Sequence, residues 1–257
     1  MNEEELDLSN INPRKPAQPP QSQGYVGDLA KTQVIFDLVK VPKEERDAQW
    51  KQQFLSNLPT ASLRCGNPQV ILGPDRFPYF QLFLPEPGVE FQSFVLDRMK
   101  DDFLLEKGLG VVINPTENAA DWVFSYGDIV HYHLKKTLEY PENREFKQED
   151  MKIEPNEQVM IGAPSEEMLP QTARKVLDQL LKMNGIPTPK ILLMGRNKNG
   201  KTLQHLAFNI TPKLFDDEQK YQGMMRALTW YLPKDYSIIG LEEAQFEKGF
   251  KPMWEAA

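Results

Sequence analysis

The spacing of apolar residues in the first half of the chain predicts helices at four places. In the first of them, Leu29, Ile35 and Leu38 fall roughly on one face, and Asp28 can cap the first turn. The predicted helices cover residues 28–39, 43–54 and 90–106, and a fourth follows residue 127 and carries Ile129, Val130, Leu134 and Leu138.

Shorter segments in which apolar and polar residues alternate predict strands. In residues 79–84, for example, Phe80 and Leu82 are separated by the polar Gln81. The other predicted strands of the first half cover residues 61–64, 69–72, 109–113 and 121–127. Because these strands are interspersed with helices, the sequence predicts an N-terminal α+β domain over residues 25–138.

The second half of the chain has the predicted element order β-α-β-β-α-β. One helix begins at Ser165 and ends at Asn184, and the other begins at Asp216 and ends before Pro233. The strands cover residues 158–162, 191–194, 203–210 and 236–241. This is the split β-α-β order of ferredoxin-like domains. The sequence therefore predicts an α+β fold of two units, the C-terminal one being a ferredoxin-like domain over residues 157–257.

Composition separates the two predicted domains from the segments around them. Residues 1–24 are acidic at first and then rich in Pro and Gln, with too few apolar groups to offset the entropy cost of ordering. We therefore predict a disordered Pro-rich tail there. Residues 139–156 are polar and contain few branched aliphatic residues, which predicts a linker between the domains.

Charge and cysteine content narrow the classes of function. The 257 residues carry a formal net charge of −7 and have a sequence pI of about 5.2, which argues against nucleic acid or an anionic membrane as the main partner. Cys65 is the only cysteine, so an internal disulfide and a cysteine-based zinc site are excluded. The N-terminal residues lack the pattern of a secretory signal and no apolar run could span a membrane, so we expect a cytoplasmic protein.

Residues 190–211 fit two incompatible structures. Gly195, Gly200, Lys201 and Thr202 match G-x-x-x-x-G-K-[ST], the loop whose backbone N–H groups hold nucleotide phosphates. Such a loop must open a helix, yet the residues after Thr202 alternate as in a strand. The Asn-Lys-Asn-Gly stretch suits a turn. We predict a β-hairpin here, with a nucleotide-binding P-loop over residues 195–202 as the alternative.

No catalytic or metal-binding constellation is predicted. His131 and His133 form an H-x-H pair that would suit a metal site on a strand, but in the predicted helix their side chains face nearly opposite directions and no third ligand can be named, so ordinary surface or cap histidines are favoured. His205 is the third histidine, and neither it nor Cys65 has a recognisable catalytic partner. We therefore expect no catalytic residues, no cofactor and no metal.

Aromatic residues around position 125 form a candidate binding surface. Trp122, Phe124, Tyr126 and Tyr132 lie close together in the sequence, and Trp and Tyr are enriched at the centres of protein interfaces. Core packing is the alternative, and it is favoured for these aromatic side chains because such residues supply much of the area buried in folding. The candidate surface comprises Trp122, Tyr126, His131, Tyr132 and His133.

The last two fifths of the chain resemble a known family. A helix ends before K-I-L-L-M, a strand H-L-A-F-N-I follows, a helix begins with acidic residues, and I-I-G-L precedes F-K-P-M-W-E. In this pattern residues 159–254 resemble the C-terminal domain of the enhanced serine sensitivity (SseB-like) proteins. The resemblance is looser in the first half, and residues 28–54 have no counterpart in it. It implies a bacterial cytosolic protein with a name linked to serine tolerance, and it carries over no catalytic residues.

These observations lead to three hypotheses on function. The first is a non-catalytic protein-interaction module whose partner is another protein, with no nucleic-acid or membrane partner. The second is a regulatory protein that binds a small, amino-acid-like molecule at a domain or dimer interface. The third is a nucleotide-binding enzyme that uses the P-loop at residues 195–202.

Overall fold

The computed structural model divides the chain into two compact units at Pro141 and Glu142. It describes residues 27–117, 119–141, 159–198, 201–246 and 249–254. We call residues 27–141 the N-terminal unit and residues 159–254 the C-terminal unit. The predicted tail at residues 1–24 and most of the predicted linker at residues 139–156 lie outside the described residues.

Four helices belong to the N-terminal unit. They are α1 (Leu29–Leu38), α2 (Ala48–Asn57), α3 (Leu96–Met99), which continues as the π-helical segment Lys100–Leu105, and α4 (Tyr126–Lys135). The predicted cap of α1 is confirmed, because the Asp28 side chain accepts a hydrogen bond from the backbone N–H of Lys31 at 3.1 Å. The second helix begins later than predicted. Pro42 is followed by only a short 3₁₀ turn, and the side chain of Asp47 caps α2 through the N–H of Trp50 at 2.8 Å.

The sheet of the N-terminal unit has four strands in sequential order. They are β1 (Arg64–Leu72), β2 (Pro78–Phe83), β3 (Gly110–Ile113) and β4 (Trp122–Phe124). β2 and β3 are parallel, whereas β1 and β4 pair antiparallel with their neighbours. The predicted strand at residues 69–72 is the second part of β1, whose pairing shifts register between Cys65 and Val70. Of the predicted strand at residues 61–64, only Arg64 belongs to β1, whereas Ala61 and Leu63 form isolated bridges to Asp28 and Phe94.

The predicted helix at residues 90–106 is too long at its start. Phe94 exchanges both backbone hydrogen bonds with Leu63, at 2.7 and 3.0 Å, and Val95 has an extended backbone with φ −124° and ψ 118°. Because the backbone of Phe94 is engaged in this bridge to Leu63 and Val95 is extended, the helix begins only at Leu96. The apolar side chains counted in the helical period at residues 91–95 therefore belong to a loop and a bridge.

The C-terminal unit has the predicted order of elements. These are β5 (Val159–Gly162), α5 (Gln171–Met183), β6 (Lys190–Lys198), β7 (Lys201–Phe208), α6 (Glu218–Tyr231), β8 (Ser237–Gly240) and a short final strand β9 (Lys251–Pro252). The helix starts differ from the prediction. Ser165 lies in a turn, and α5 begins after Pro170, because a proline disfavours helical geometry in the residue before it. Asp217 rather than Asp216 caps α6.

The sheet order does not match the ferredoxin-like prediction. The strands lie in the order β5-β6-β7-β8, with β5 antiparallel to β6, β7 parallel to β8, and β9 paired with β6. In a split β-α-β unit, another strand separates the two strands joined by the helix, whereas here β5 and β6 are direct neighbours. Periodicity identified β5, β6, β7 and β8 but not which strands pair, and it did not identify β9. The fold is therefore α+β with two mixed sheets.

Both faces of the C-terminal sheet carry buried apolar side chains. One face contains the cluster of Leu192, Met194 and Ala207 with Phe250, which the chain after β8 brings onto the sheet. Ile191 and Phe208, which alternate with that cluster along their strands, are also fully buried. Within the described part of the chain, no helix is both long and apolar enough to cross a membrane.

Close packing of β8 predicts an effect of one glycine on stability. A Cβ atom added at Gly240 would overlap the carbonyl oxygen of Ile210, which is backbone and cannot rotate away. We expect Gly240→Ala to lower the free energy of unfolding by about 1–3 kcal/mol in urea titrations.

Gly195→Ala is the matched control in the same sheet. The nearest atom to its Cβ would be the Met160 methyl carbon at 3.5 Å, an ordinary van der Waals contact, so we expect a change within about 0.5 kcal/mol. Equal losses in the two variants would contradict the backbone overlap as the cause.

Candidate functional site

The five residues of the predicted binding surface do not form one surface. Trp122 lies on β4 and the other four lie on α4. Tyr126, His131 and Tyr132 are 0%, 4% and 5% exposed, so these three side chains are part of the core. Trp122 and His133 remain partly exposed. For Tyr126 and Tyr132, the core-packing alternative that the sequence favoured is therefore the one that agrees with their burial.

The start of α4 explains why Tyr126 points inward. Ser125 and Asp128 form a capping box, with hydrogen bonds of 3.1 Å and 2.8 Å between each side chain and the other residue's backbone N–H. The Tyr126 hydroxyl donates to the carbonyl oxygen of Leu105 at 2.9 Å. Tyr126 therefore joins the start of α4 to the end of the π-helical segment.

The two histidines of the H-x-H pair have different partners, as expected for a helix. His131 Nε2 lies 3.0 Å from the carbonyl oxygen of Glu139, and the His131 ring stacks on Tyr140 at 3.9 Å. His133 Nδ1 lies 2.6 Å from Asp101 Oδ1. Among the described residues, no group of three or more His, Cys, Asp or Glu side chains is arranged to hold a metal ion.

Tyr132 and His133 take part in a polar network against the π-helical segment. The Tyr132 hydroxyl donates to Asp97 Oδ1 at 2.7 Å. The Lys100 ammonium donates to the same carboxylate oxygen at 2.9 Å and lies 3.4 Å from Asp101 Oδ2. Lys100 is only 6% exposed, so its charge is compensated inside the network. Sequence reasoning missed Lys100, because nothing in its local pattern distinguishes it from a surface lysine.

The network shifts the pKa values of its members. At Asp101, partial burial opposes ionisation, but the hydrogen bond from His133 and the charge of Lys100 outweigh burial and lower the pKa. The same balance lowers the pKa of Asp97, where Lys100 and Tyr132 supply the hydrogen bonds. Burial, followed by the bond to Asp97, raises the pKa of the Tyr132 hydroxyl. The two carboxylates are therefore ionised and Tyr132 is neutral at pH 7.

Trp122 belongs to a second site, an aromatic stack between α2 and β4. Its ring centroid lies 5.8 Å from that of Trp50 and 5.5 Å from that of Phe54, and Trp50 and Phe54 stack at 4.9 Å. The Trp50 indole N–H donates to the carbonyl oxygen of Leu38 at 2.8 Å, which fixes its ring. Trp122 therefore rests on a rigid aromatic base.

Arg46 covers the other side of this stack. Its guanidinium carbon lies 4.5 Å from the centre of the Trp50 ring, and it pairs with the Asp121 carboxylate at 2.7 Å. The guanidinium also donates to the carbonyl oxygens of Val39, Val41 and Asp121. The second oxygen of Asp121 accepts from the Asn114 amide at 2.8 Å. Both charges of the pair are thus satisfied within the protein.

Together these groups line an open cleft of about 450 Å³ beside Trp122. We call it the tryptophan cleft, and its lining residues are Lys43, Arg46, Asp47, Ala48, Trp50, Lys51, Ala120, Asp121 and Trp122. Lys43 and Lys51 are exposed, and neither has an ion pair among the described residues. The cleft therefore combines indole surface with two cations that are open to a ligand.

The predicted β-hairpin at residues 190–211 is confirmed. β6 and β7 pair antiparallel along their whole length, with Gly195 opposite Gln204 and Asn197 opposite Thr202. β7 is extended from Lys201 onward, so the helix N-terminus that a phosphate loop requires does not form there. Elsewhere in this sheet, His205 Nδ1 and Ser237 Oγ form a buried hydrogen bond of 2.6 Å.

Comparisons with models of protein families, with characterised proteins and with solved structures found no match to this chain. The resemblance to the SseB-like family therefore stays a prediction. Of the cleft residues, the sequence indicated Trp122 as a candidate. Arg46 carried no signal, since its partners are 75 residues away at Asp121 and in the turn after α1.

The polar network predicts a pH dependence of stability. A carboxyl group whose pKa is lower in the folded protein stabilises it above about pH 4, and this contribution is lost as the pH falls through the folded value. We expect Asp101→Asn to make the free energy of unfolding fall less steeply below about pH 4. The difference should stay below about 1 kcal/mol, because the pair is partly exposed to solvent. Urea unfolding over this pH range measures it.

Asp102→Asn is the control for this measurement, because Asp102 is exposed and has no hydrogen bond or ion pair in the described part of the chain. The control should keep the steep acid dependence of the wild type. Identical pH profiles for Asp101→Asn and the wild type would show that the bond between Asp101 and His133 contributes nothing to acid stability.

Proposed function

We propose that this chain is a non-catalytic protein-interaction module and that the tryptophan cleft holds a segment of its partner. The observation that carries the proposal is the partly exposed Trp122 ring, which is held at 5.8 Å from Trp50 beside the paired Arg46. Tryptophan and arginine are the residues most often found to dominate binding energy at protein interfaces.

Rigidity supports this role. Binding costs free energy when mobile side chains become ordered, roughly 0.5–1.5 kcal/mol for each flexible one. Trp50 is fixed by its bond to Leu38, and Arg46 is fixed by its bonds to Val39, Val41 and Asp121. The walls of the cleft are therefore ordered before a partner arrives, and little of the binding energy is spent on them.

Charge indicates the kind of segment that fits. The Arg46 and Asp121 charges neutralise each other, whereas Lys43 and Lys51 extend from the rim without an ion pair among the described residues. A carboxylate on the partner would gain from both lysines, and an apolar or aromatic side chain would cover Trp122. We infer a peptide segment in which an acidic residue lies close to an aromatic or large aliphatic residue.

Selection of peptides tests the proposal without knowledge of the natural partner. A random peptide library is displayed on phage, panned against the whole chain and counter-selected against the Trp122→Ala variant. We expect enriched peptides to carry the acidic and aromatic pair, and to bind Trp122→Ala about 30-fold or more weakly in calorimetry, as at an interface hot spot.

Val123→Ala is the matched control, because Val123 is the next residue on β4 and its side chain is 47% exposed. Successive side chains of a strand face opposite sides, so this variant should bind like the wild type. The absence of enriched peptides, or equal affinity of the selected peptides for Trp122→Ala, would refute the role of the cleft.

A second candidate function is supported by the size of the cleft. Its volume of about 450 Å³ lies in the range of small-molecule sites, roughly 300–1,000 Å³. A small amino-acid-like anion could place its carboxylate at Lys43 and Lys51 and its side chain on Trp122. This function, like the first, agrees with the bacterial cytosolic setting that the SseB-like resemblance implies.

Thermal shift measurements separate the two functions. The standard amino acids, serine included, are tested singly against the wild type and Trp122→Ala. A ligand at 100 times its Kd should stabilise the folded state by about 2.7 kcal/mol. If the cleft binds a protein segment, we expect none of the amino acids to change the melting temperature. A shift that Trp122→Ala abolishes would favour the small-molecule function instead.

A further inference from the structure

The C-terminal unit contains an unprotected sheet edge at β5. The strand pairs with β6 on one side, where Val159 lies opposite Arg196 and Gly162 lies opposite Leu193. On its other side, no strand among the described residues pairs with it. An edge of this kind presents unpaired backbone N–H and C=O groups, which can pair with another extended chain.

Exposed apolar side chains accompany this edge. Met160 is 64% exposed and Ile161 is 46% exposed, and the strand Val159–Gly162 contains no charged residue and no proline. Proteins usually protect edge strands with charges, prolines or bulges. None of these devices is present in β5.

Two other edge segments of this molecule, β9 and β1, do carry such devices. β9 occupies the same side of β6 as β5, and its two residues are a lysine and a proline, with Lys251 opposite Ile191 and Pro252 opposite Lys190. β1, an edge of the N-terminal sheet, contains Pro68 and an irregularity between Cys65 and Val70. The two remaining edge strands, β4 and β8, also lack charged residues and proline. β4 has one exposed large apolar side chain, Val123, and β8 has none, whereas β5 exposes both Met160 and Ile161.

We propose that β5 pairs antiparallel with β5 of a second copy of this chain, so that the two C-terminal sheets join into one. The pairing places the two strands around a two-fold axis perpendicular to the sheet. This inference concerns the C-terminal unit and does not depend on the tryptophan cleft.

The register of the proposed pairing follows from which face each side chain occupies. Val159 and Ile161 lie opposite Arg196 and Met194 on one face, whereas Met160 lies opposite Gly195 on the other face. Residues directly opposite each other in an antiparallel pair share a face. A two-fold axis at Met160 satisfies this rule, with Met160 facing its own copy and Val159 facing Ile161 of the partner subunit.

Self-complementarity favours a second copy over an unrelated peptide. In this register every central pair is apolar: valine with isoleucine, methionine with methionine, and isoleucine with valine. No like charges are opposed, although each chain carries a net charge of −7. Pro252 and Lys251 close the rest of this edge, so a long strand gains little, whereas residues 159–161 of a second β5 pair within the open length.

The short pairing implies a reversible dimer. Stable interfaces bury about 1,200–2,000 Å², and two four-residue strands bury less than this. We therefore expect a dissociation constant of about 1 μM or more, which is weaker than that of interfaces of standard size.

Sedimentation equilibrium over about 1–500 μM tests the dimer on the whole chain. We expect the wild type to shift from monomer to dimer as the concentration rises. Met160→Lys places two like charges across the axis and should abolish the shift, without loss of folding by circular dichroism. Leu214→Lys, a matched change at another side chain that is 55% exposed, should leave the dimer intact.

Cysteine pairs test the register in a Cys65→Ser background. Opposed Cα atoms lie roughly 4.5–5.5 Å apart in antiparallel sheets, within the range that a disulfide spans. With oxidised glutathione as oxidant, Met160→Cys should form a covalent dimer. Val159→Cys alone should not, but should do so when mixed with Ile161→Cys.

Three results would overturn the proposal. A wild type that stays monomeric at every concentration removes the dimer. A dimer that survives Met160→Lys must use a different surface. Efficient covalent dimers from Ile161→Cys alone, with none from Met160→Cys, would show that the axis lies elsewhere.

Discussion

The guanidinium group of Arg46 is the contact on which the N-terminal unit depends. It joins the turn after α1 to the start of β4, with hydrogen bonds to Val39, Val41 and Asp121 and a stacking contact with Trp50. Because arginine keeps its charge at all physiological pH values, its buried N–H groups must be satisfied inside the protein. These partners connect α1 and α2 to β4, the edge strand of the N-terminal sheet. The wall of the tryptophan cleft results from these bonds.

This constraint extends into the sheet through Asn114. Its backbone has a positive φ of 47°, a conformation that asparagine tolerates better than most residues. The side chain accepts from the Leu84 N–H at 2.9 Å and donates to Asp121 at 2.8 Å. The acid that neutralises Arg46 is thereby fixed by the turn after β3. The residues beside the exposed Trp122 ring are thus hydrogen-bonded to the sheet through Asp121 and Asn114. A change that disrupts these bonds would disturb both the cleft and the sheet.

Local pattern predicted the elements of this fold but not their neighbours. The cap at Asp28, the helix at α4 and the hairpin of β6 and β7 follow from spacing within about ten residues, where chain geometry decides. The prediction of a ferredoxin-like strand order was wrong. β6 lies between β5 and β7, and the apolar pattern of a strand does not specify which strand pairs with it on either side. Lys100 and Arg46 were missed because their burial depends on Tyr132 and Asp121, which are distant in the sequence and which folding brings near. The cluster of aromatic residues near position 125 identified Trp122 as a candidate binding residue, but the sequence did not predict the cleft beside it.

The two exposed apolar features differ in what the fold requires of them. Trp122 contacts Trp50, Phe54 and Phe124, so part of its ring stabilises the N-terminal unit whether or not a partner binds. Met160 is mostly exposed and its contacts include Gly195, which has no side chain. A polar residue at 160 would cost the fold little packing and would protect the edge from non-specific pairing. The methionine is therefore not explained by the stability of a single chain, whereas contact with its own copy across a two-fold axis does explain it.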